Sequence, residues 1–165
     1  MANYSFDVTT GADLQEVDNA VNQSVKEVRQ RYDFKGTHCV VEFDRDAAVL
    51  KLEADDDFRI KALFDIVQSK LIKRNVPLKN LQVGETEPAA GGRVRKQIAL
   101  TQGISGDTAR EITKNVKAQK LKKVQVAIQG DQLRVSSPSK DALQEVMSFL
   151  KDGDYGIELT FGNYR

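Results

Sequence analysis

Val124-Gln125-Val126-Ala127-Ile128-Gln129-Gly130-Asp131-Gln132-Leu133-Arg134-Val135 is the stretch that decides the local plan of this chain. Val124, Val126 and Ile128 alternate with Gln125, Ala127 and Gln129, the period of a half-buried strand. Gly130-Asp131 is a tight turn, and Leu133 and Val135 form the return strand, so the whole is a β-hairpin. Upstream, Gly103-Ile104-Ser105-Gly106-Asp107 opens a helix in which Ala109, Ile112 and Val116 face inward, with Arg110, Lys114 and Lys117 opposite. Before it, Val94, Lys96, Ile98 and Leu100 mark a strand with cationic neighbours. Downstream, Ser137-Pro138 starts another helix with Pro at a permitted first-turn position. Leu143, Val146, Met147 and Leu150 are its core stripe, and Asp152-Gly153 ends it. Ile157, Leu159 and Phe161 make a last strand. The order is β-α-β-β-α-β.

The first half has the same order. Ser5 to Thr10 alternates as a strand. Asp13 with Glu16 resembles a capping box, and Leu14, Val17, Val21, Val25, Val28 and Tyr32 recur at helical spacing until Phe34-Lys35-Gly36 ends the helix. Cys39, Val41 and Phe43, the turn Asp44 to Ala47, and Val49 to Ala54 form a second hairpin. Ile60, Leu63, Phe64, Val67 and Leu71 line a second helix, which Asn75-Val76-Pro77 stops. Leu81 and Val83 close the repeat. Fixed-order repetition of this kind constrains a fold strongly. The expected class is α+β: two ferredoxin-like βαββαβ domains, each a four-stranded antiparallel sheet with two helices on one face. The boundary falls in the turn-rich Gly84 to Gly92, giving domains 1–87 and 88–165.

Composition excludes several classes. With 40% hydrophobic and 30% charged residues, the chain is globular rather than disordered. No apolar run approaches the roughly 20 residues of a membrane span. The N-terminus lacks the basic and apolar regions of a secretory signal, and Cys39 is the single cysteine, so a cytoplasmic, bacterial-style protein is expected. The net charge of +1 hides an uneven spread. Residues 1–57 hold 13 acidic and 6 basic side chains, whereas residues 93–123 hold 9 basic and 2 acidic. Such asymmetry makes a local field, for a ligand or for an oppositely charged face.

Phosphate binding needs positive charge, and Arg93, Arg95, Lys96, Arg110, Lys114, Lys117, Lys122 and Lys123 are the candidate contacts, with Lys120 among them in sequence. Arg93 and Arg95 share one strand face; Arg110, Lys114 and Lys117 share one helix face. Tyr32, Phe34 and Tyr164 are the rings to consider for base stacking, although the aromatic motif of RNA-binding sheets is absent. Gly103 to Asp107 leads into a helix N-terminus, a place for an anion or simply for a cap. Asp55-Asp56-Asp57 reads as helix capping, with a divalent-metal site as the alternative. His38 and Cys39 are adjacent on a strand and point to opposite faces, which argues against a catalytic pair. No catalytic, metal or cofactor site is expected.

Gln15 to Asn22, Arg31-Tyr32-Asp33-Phe34-Lys35-Gly36, Gln102-Gly103-Ile104, Ile128-Gln129-Gly130-Asp131 and the terminal Phe161-Gly162-Asn163-Tyr164-Arg165 together resemble the bacterial YajQ family of nucleotide-binding proteins, nearly end to end. The resemblance implies that the N-terminal strands are exchanged: the segment near 5–10 joins the second sheet and that near 93–101 joins the first. It also implies a cytosolic protein that binds a nucleotide or dinucleotide without catalysis, in some members as a cyclic di-GMP effector acting with a transcription regulator. The alternatives are RNA binding, tRNA included, with weak sequence selectivity, or a protein-interaction module, as a homo-oligomer or with another partner. No membrane partner is expected. Replacing Arg93, Arg95 and Lys96 together by Ala is expected to weaken ligand binding.

Overall fold

The computed structural model describes residues 3–121 and 123–165. Its strands are β1 (Tyr4–Thr9), β2 (Cys39–Asp44), β3 (Val49–Ala54), β4 (Leu81–Val83), β5 (Glu87–Pro88), β6 (Val94–Leu100), β7 (Gln125–Gln129), β8 (Gln132–Ser137) and β9 (Thr160–Gly162). Its α-helices are α1 (Leu14–Gln30), α2 (Asp57–Lys73), α3 (Gly106–Ala118) and α4 (Lys140–Asp152). The strands form two antiparallel sheets, ordered β7-β8-β1-β9 and β2-β3-β6-β4, with β5 added against β6. Counted by position in each βαββαβ repeat, both orders are second-third-first-fourth. The first strand of each repeat lies in the other repeat's sheet. The chain divides into two compact units, Met1–Gly11 with Gln102–Arg165, and Ala12–Thr101.

Each unit has its own core. In Ala12–Thr101, Leu50, Leu52 and Ile98 from β3 and β6 meet Val17, Val21, Leu63, Val67 and Leu71 from α1 and α2. In the other unit, Phe6, Val8, Leu133 and Val135 meet Ala109, Ile112, Val146 and Leu150. Alternation explains both: Leu50 pairs Ile98, and Phe6 pairs Val135, on the helix-facing side.

Helix ends differ in detail from expectation. Asp13 accepts a hydrogen bond from the Gln15 N–H, two residues on, and Glu16 turns to Arg74, so no capping box forms. The first helix stops at Gln30; Tyr32–Phe34 is a separate 3-10 turn, and Tyr32 leaves the apolar stripe for solvent. Ser137 ends β8 and Pro138 precedes the cap, which is Ser139. Proline fits there because the residue before it, Ser137, is the last of a strand, and Pro favours an extended residue before it. The last strand is shorter than the alternation of Ile157, Leu159 and Phe161 suggests.

At the end of α2, Asn75 has φ 60°, its N–H reaches the Ile72 carbonyl and the Val76 N–H reaches that of Leu71. This is a Schellman cap, with Val76 buried beside the helix as the apolar lock. The terminal segment carries a bulge. Gly162 pairs Asp7, yet Arg165 pairs Ser5, so one extra residue is accommodated where Asn163 takes φ 53°.

Candidate functional site

Asp55, Asp56 and Asp57 diverge. Asp55 accepts from the His38 N–H and faces Arg93, Asp56 caps α2 through the Arg59 N–H, and Asp57 stands in the first turn. Among the described residues no group of three His, Cys, Asp or Glu side chains is gathered to hold a metal ion. His38 spends its ring on Glu53, with Nε2 2.7 Å from Oε2. Cys39 points into the helix-facing side, and burial pushes its thiol above the usual range.

The cationic candidates fall into two groups. Arg93, Arg95 and Lys96 belong to the unit Ala12–Thr101. Arg93 lies 3.6 Å from Asp55 and Arg95 3.3 Å from Glu87. Lys96 is on the opposite side of β6, pairing Leu52 across the sheet, with its ammonium 5.2 Å from the centre of the Phe64 ring. The three are therefore not one cluster, since strand neighbours alternate faces.

Arg110, Lys114, Lys117 and Lys123 belong to the other unit; Lys122 lies outside the described residues. Arg110, Thr113, Lys114 and Lys117 line one flank of α3 over an open depression of about 330 Å³, whose floor is Ile128, 48% exposed. Ser105 caps this helix by accepting from the Thr108 N–H, and Asp107 takes the Arg110 guanidinium. Among the described residues, Lys114, Lys117 and Lys123 have no carboxylate within salt-bridge distance.

The rings separate as well. Tyr32 is 88% exposed, whereas Phe34 is only 5% exposed and packs in the core with Arg31 over one face. Its faces are closed to a base, which removes it from the stacking candidates. Tyr164 is 63% exposed beside a hollow on α4.

Asp7 and Arg134 were not singled out by sequence reasoning. They pair across β1 and β8 on the face away from the helices. Arg134 Nε donates to Asp7 at 2.9 Å and Asn163 Nδ2 donates to it at 2.7 Å. The Arg134 guanidinium and the Asn163 amide hold the buried Asp7 carboxyl below its usual range, against the opposing effect of burial. Around this pair lie uncharged polar groups: Ser5, Thr9, Gln125, Gln129, Gln132 and Ser136. Strand parity alone predicts that Asp7 faces away from Phe6 and Val8, but its partner sits 127 positions on.

A family model described as "Nucleotide-binding protein YajQ-like" matches residues 4–165. A nucleotide-binding protein of Koribacter versatilis is 47% identical over 165 residues, covering 100% of this chain and 99% of that protein. A nucleotide-binding protein of Geotalea uraniireducens is 52% identical over 161 residues, covering 98% of each, and one of Citrifermentans bemidjiense matches at the same identity and coverage. With motifs, strand order and similarity running the length of the chain, it belongs to the YajQ-like family.

Proposed function

We propose that the chain is a non-catalytic, cytoplasmic nucleotide-binding protein that receives ligand phosphates on the α3 flank. The observation that carries this reading is the row Arg110, Lys114 and Lys117 around exposed Ile128, with lysines that no neighbouring carboxylate neutralises. Unpaired ammonium groups attract phosphate oxygens without first breaking an ion pair, whereas Arg93 and Arg95 are already engaged. The names of the relatives support the ligand class. The finer reading is a response to cyclic di-GMP, whose two phosphates would meet two cations of the row, with a transcription regulator reading the bound form.

A second reading is favoured by Lys120 and Lys123, which carry positive charge past the end of α3. A longer track of charge suits RNA, and binding to it falls steeply with salt. Titration with cyclic di-GMP, GTP, ATP and a short tRNA-like RNA at low and high salt decides between them. Saturable binding of one nucleotide, little changed by salt and lost in Lys114→Glu/Lys117→Glu, is the expected result. Binding of RNA alone, collapsing with salt, replaces the first reading by the second. Full binding by the double variant overturns the assignment of the flank.

A further inference from the structure

We infer that the hollow between α4 and the terminal segment is a recess for a flat nitrogen heterocycle, the base end of a nucleotide. Its lining includes Tyr4 and Phe6 from β1, Leu143, Gln144 and Met147 from α4, and Tyr164, with two cations, Lys140 and Arg165, beside them. The choice of a nucleobase over another flat ring rests on the proposed nucleotide binding; the recess itself does not depend on the α3 flank.

The bulge builds it. Strict alternation from Phe161, which faces the helices, would put Asn163 on that side and Tyr164 on the other. The extra residue at Asn163 reverses this. Asn163 reaches Asp7 on the open face, and the Tyr164 hydroxyl stands 4.0 Å from Met147 Sδ. A large, mostly exposed ring is thereby anchored by its hydroxyl, which also donates to the Phe161 carbonyl, beside a thioether, a surface that suits an aromatic ligand.

Size and charge agree with such an occupant. The hollow measures about 140 Å³, close to the ~150 Å³ apolar cavity that accepts benzene. One six-membered ring therefore enters, and the rest of a purine and its sugar project outward. Lys140 lies with its ammonium 4.7 Å from the Tyr4 ring centre, held at the edge of the recess by that ring. It is placed to meet a phosphate carried by the projecting sugar. Gln144 offers a donor and an acceptor to the ring's edge.

Met147 is also the reporter, because Met1 is the chain's other methionine. With methyl-labelled methionine, adenosine and AMP are expected to move the Met147 methyl resonance upfield and saturably, as a ring stacked near it must, while ribose 5-phosphate leaves it still. AMP is expected to bind several-fold more tightly than adenosine. Lys140→Ala removes that margin alone, and Tyr164→Ala, a change at an exposed ring, weakens both at least fivefold. A Met147 signal that ignores adenosine and AMP, or that responds equally to ribose 5-phosphate, overturns the recess, as does an unchanged response in Tyr164→Ala.

The Lys114→Glu/Lys117→Glu variant separates the two assignments. If Met147 still responds while that variant binds phosphate-bearing ligands normally, the recess stands and the α3 reading falls. If Met147 is silent and the variant loses binding, the recess alone falls.

Discussion

The two sheets share one strand order and differ in what they turn away from their helices. The sheet of β2, β3, β6 and β4 presents alternating charges there: Glu42 opposite Lys51, and Glu53 opposite Arg95, which also pairs Glu87. The sheet of β7, β8, β1 and β9 presents amides and hydroxyls around a single pair, Asp7 with Arg134. Among the described residues, ion pairs crowd into the unit Ala12–Thr101, and the unpaired lysines of the α3 region lie in the other. Both sheets pack apolar inward faces on their helices, and the outward faces are free to diverge. Most of the ion pairs thus belong to the unit Ala12–Thr101, although among the described residues Lys26, Lys61 and Lys73 there stand as unpaired as the α3 lysines proposed to meet a ligand.

The strongest way to break this comparison is to ask whether the halves have separate cores. Leu52→Ala and Leu133→Ala each empty a fully buried site and are expected to cost about 2–5 kcal/mol by denaturant unfolding. Hydrogen exchange should quicken mainly in the unit that carries the change. Equal loss of protection in both units would merge them into one cooperative body.

Next in size is Asp7→Asn, expected to cost about 1–3 kcal/mol at neutral pH by leaving the Arg134 guanidinium without its carboxylate. Folding lowers the Asp7 pKa. Its contribution is therefore complete above the unfolded value and disappears as pH falls through the folded one. Urea midpoints of the two proteins should differ at pH 7 and converge in strong acid. A constant gap would mean that the charge is not what Asp7 supplies.

The contrast between paired and unpaired cations makes a sharper test. Lys114→Glu with Lys117→Glu should lower nucleotide affinity at least tenfold, about 1.4 kcal/mol, with unfolding unchanged. Arg93→Ala with Arg95→Ala should alter affinity less than twofold, and stability by about 0–1 kcal/mol as exposed pairs do. The reverse pattern, read by titration, would move the phosphate surface to β6. The smallest effect compares helix ends. Asn75→Ala should cost about 1 kcal/mol, since its backbone is left-handed, whereas the matching end of α4, Gly153, is extended at φ −80°.

Much of this architecture is legible because it is periodic. Val49 to Ala54, the hairpin turn at Gly130-Asp131 and the stripe of α4 follow from spacing that a half-buried strand or helix must have. Periodicity says which face a residue takes, not which strand lies beside it, so the exchange of β1 and β6 came from family resemblance alone. Tyr32 shows the limit in another way. It continues the helical spacing of Val25 and Val28, but the chain breaks at Arg31, whose backbone is extended, and the ring goes to solvent. Sequence names the cations, and strand parity separates Lys96 from Arg95. Their pairing to Asp55 and Glu87 depends on folded distances that no local pattern encodes. The α4 recess draws on both ends of the chain, and a bulge, not alternation, puts Tyr164 there.

The exchanged strands also order events in time. The chain enters the unit Ala12–Thr101 once and leaves it once, so that unit is an uninterrupted segment that a ribosome delivers whole. Strand β1 is made before it and must wait for β8 and β9, with Asp7 meeting Arg134 only across 127 positions. A unit assembled from two stretches far apart in sequence closes last. Severing the chain within residues 84–92 would leave each fragment holding a strand that belongs to the other, whereas a break at 11 and 101 would release an intact sheet.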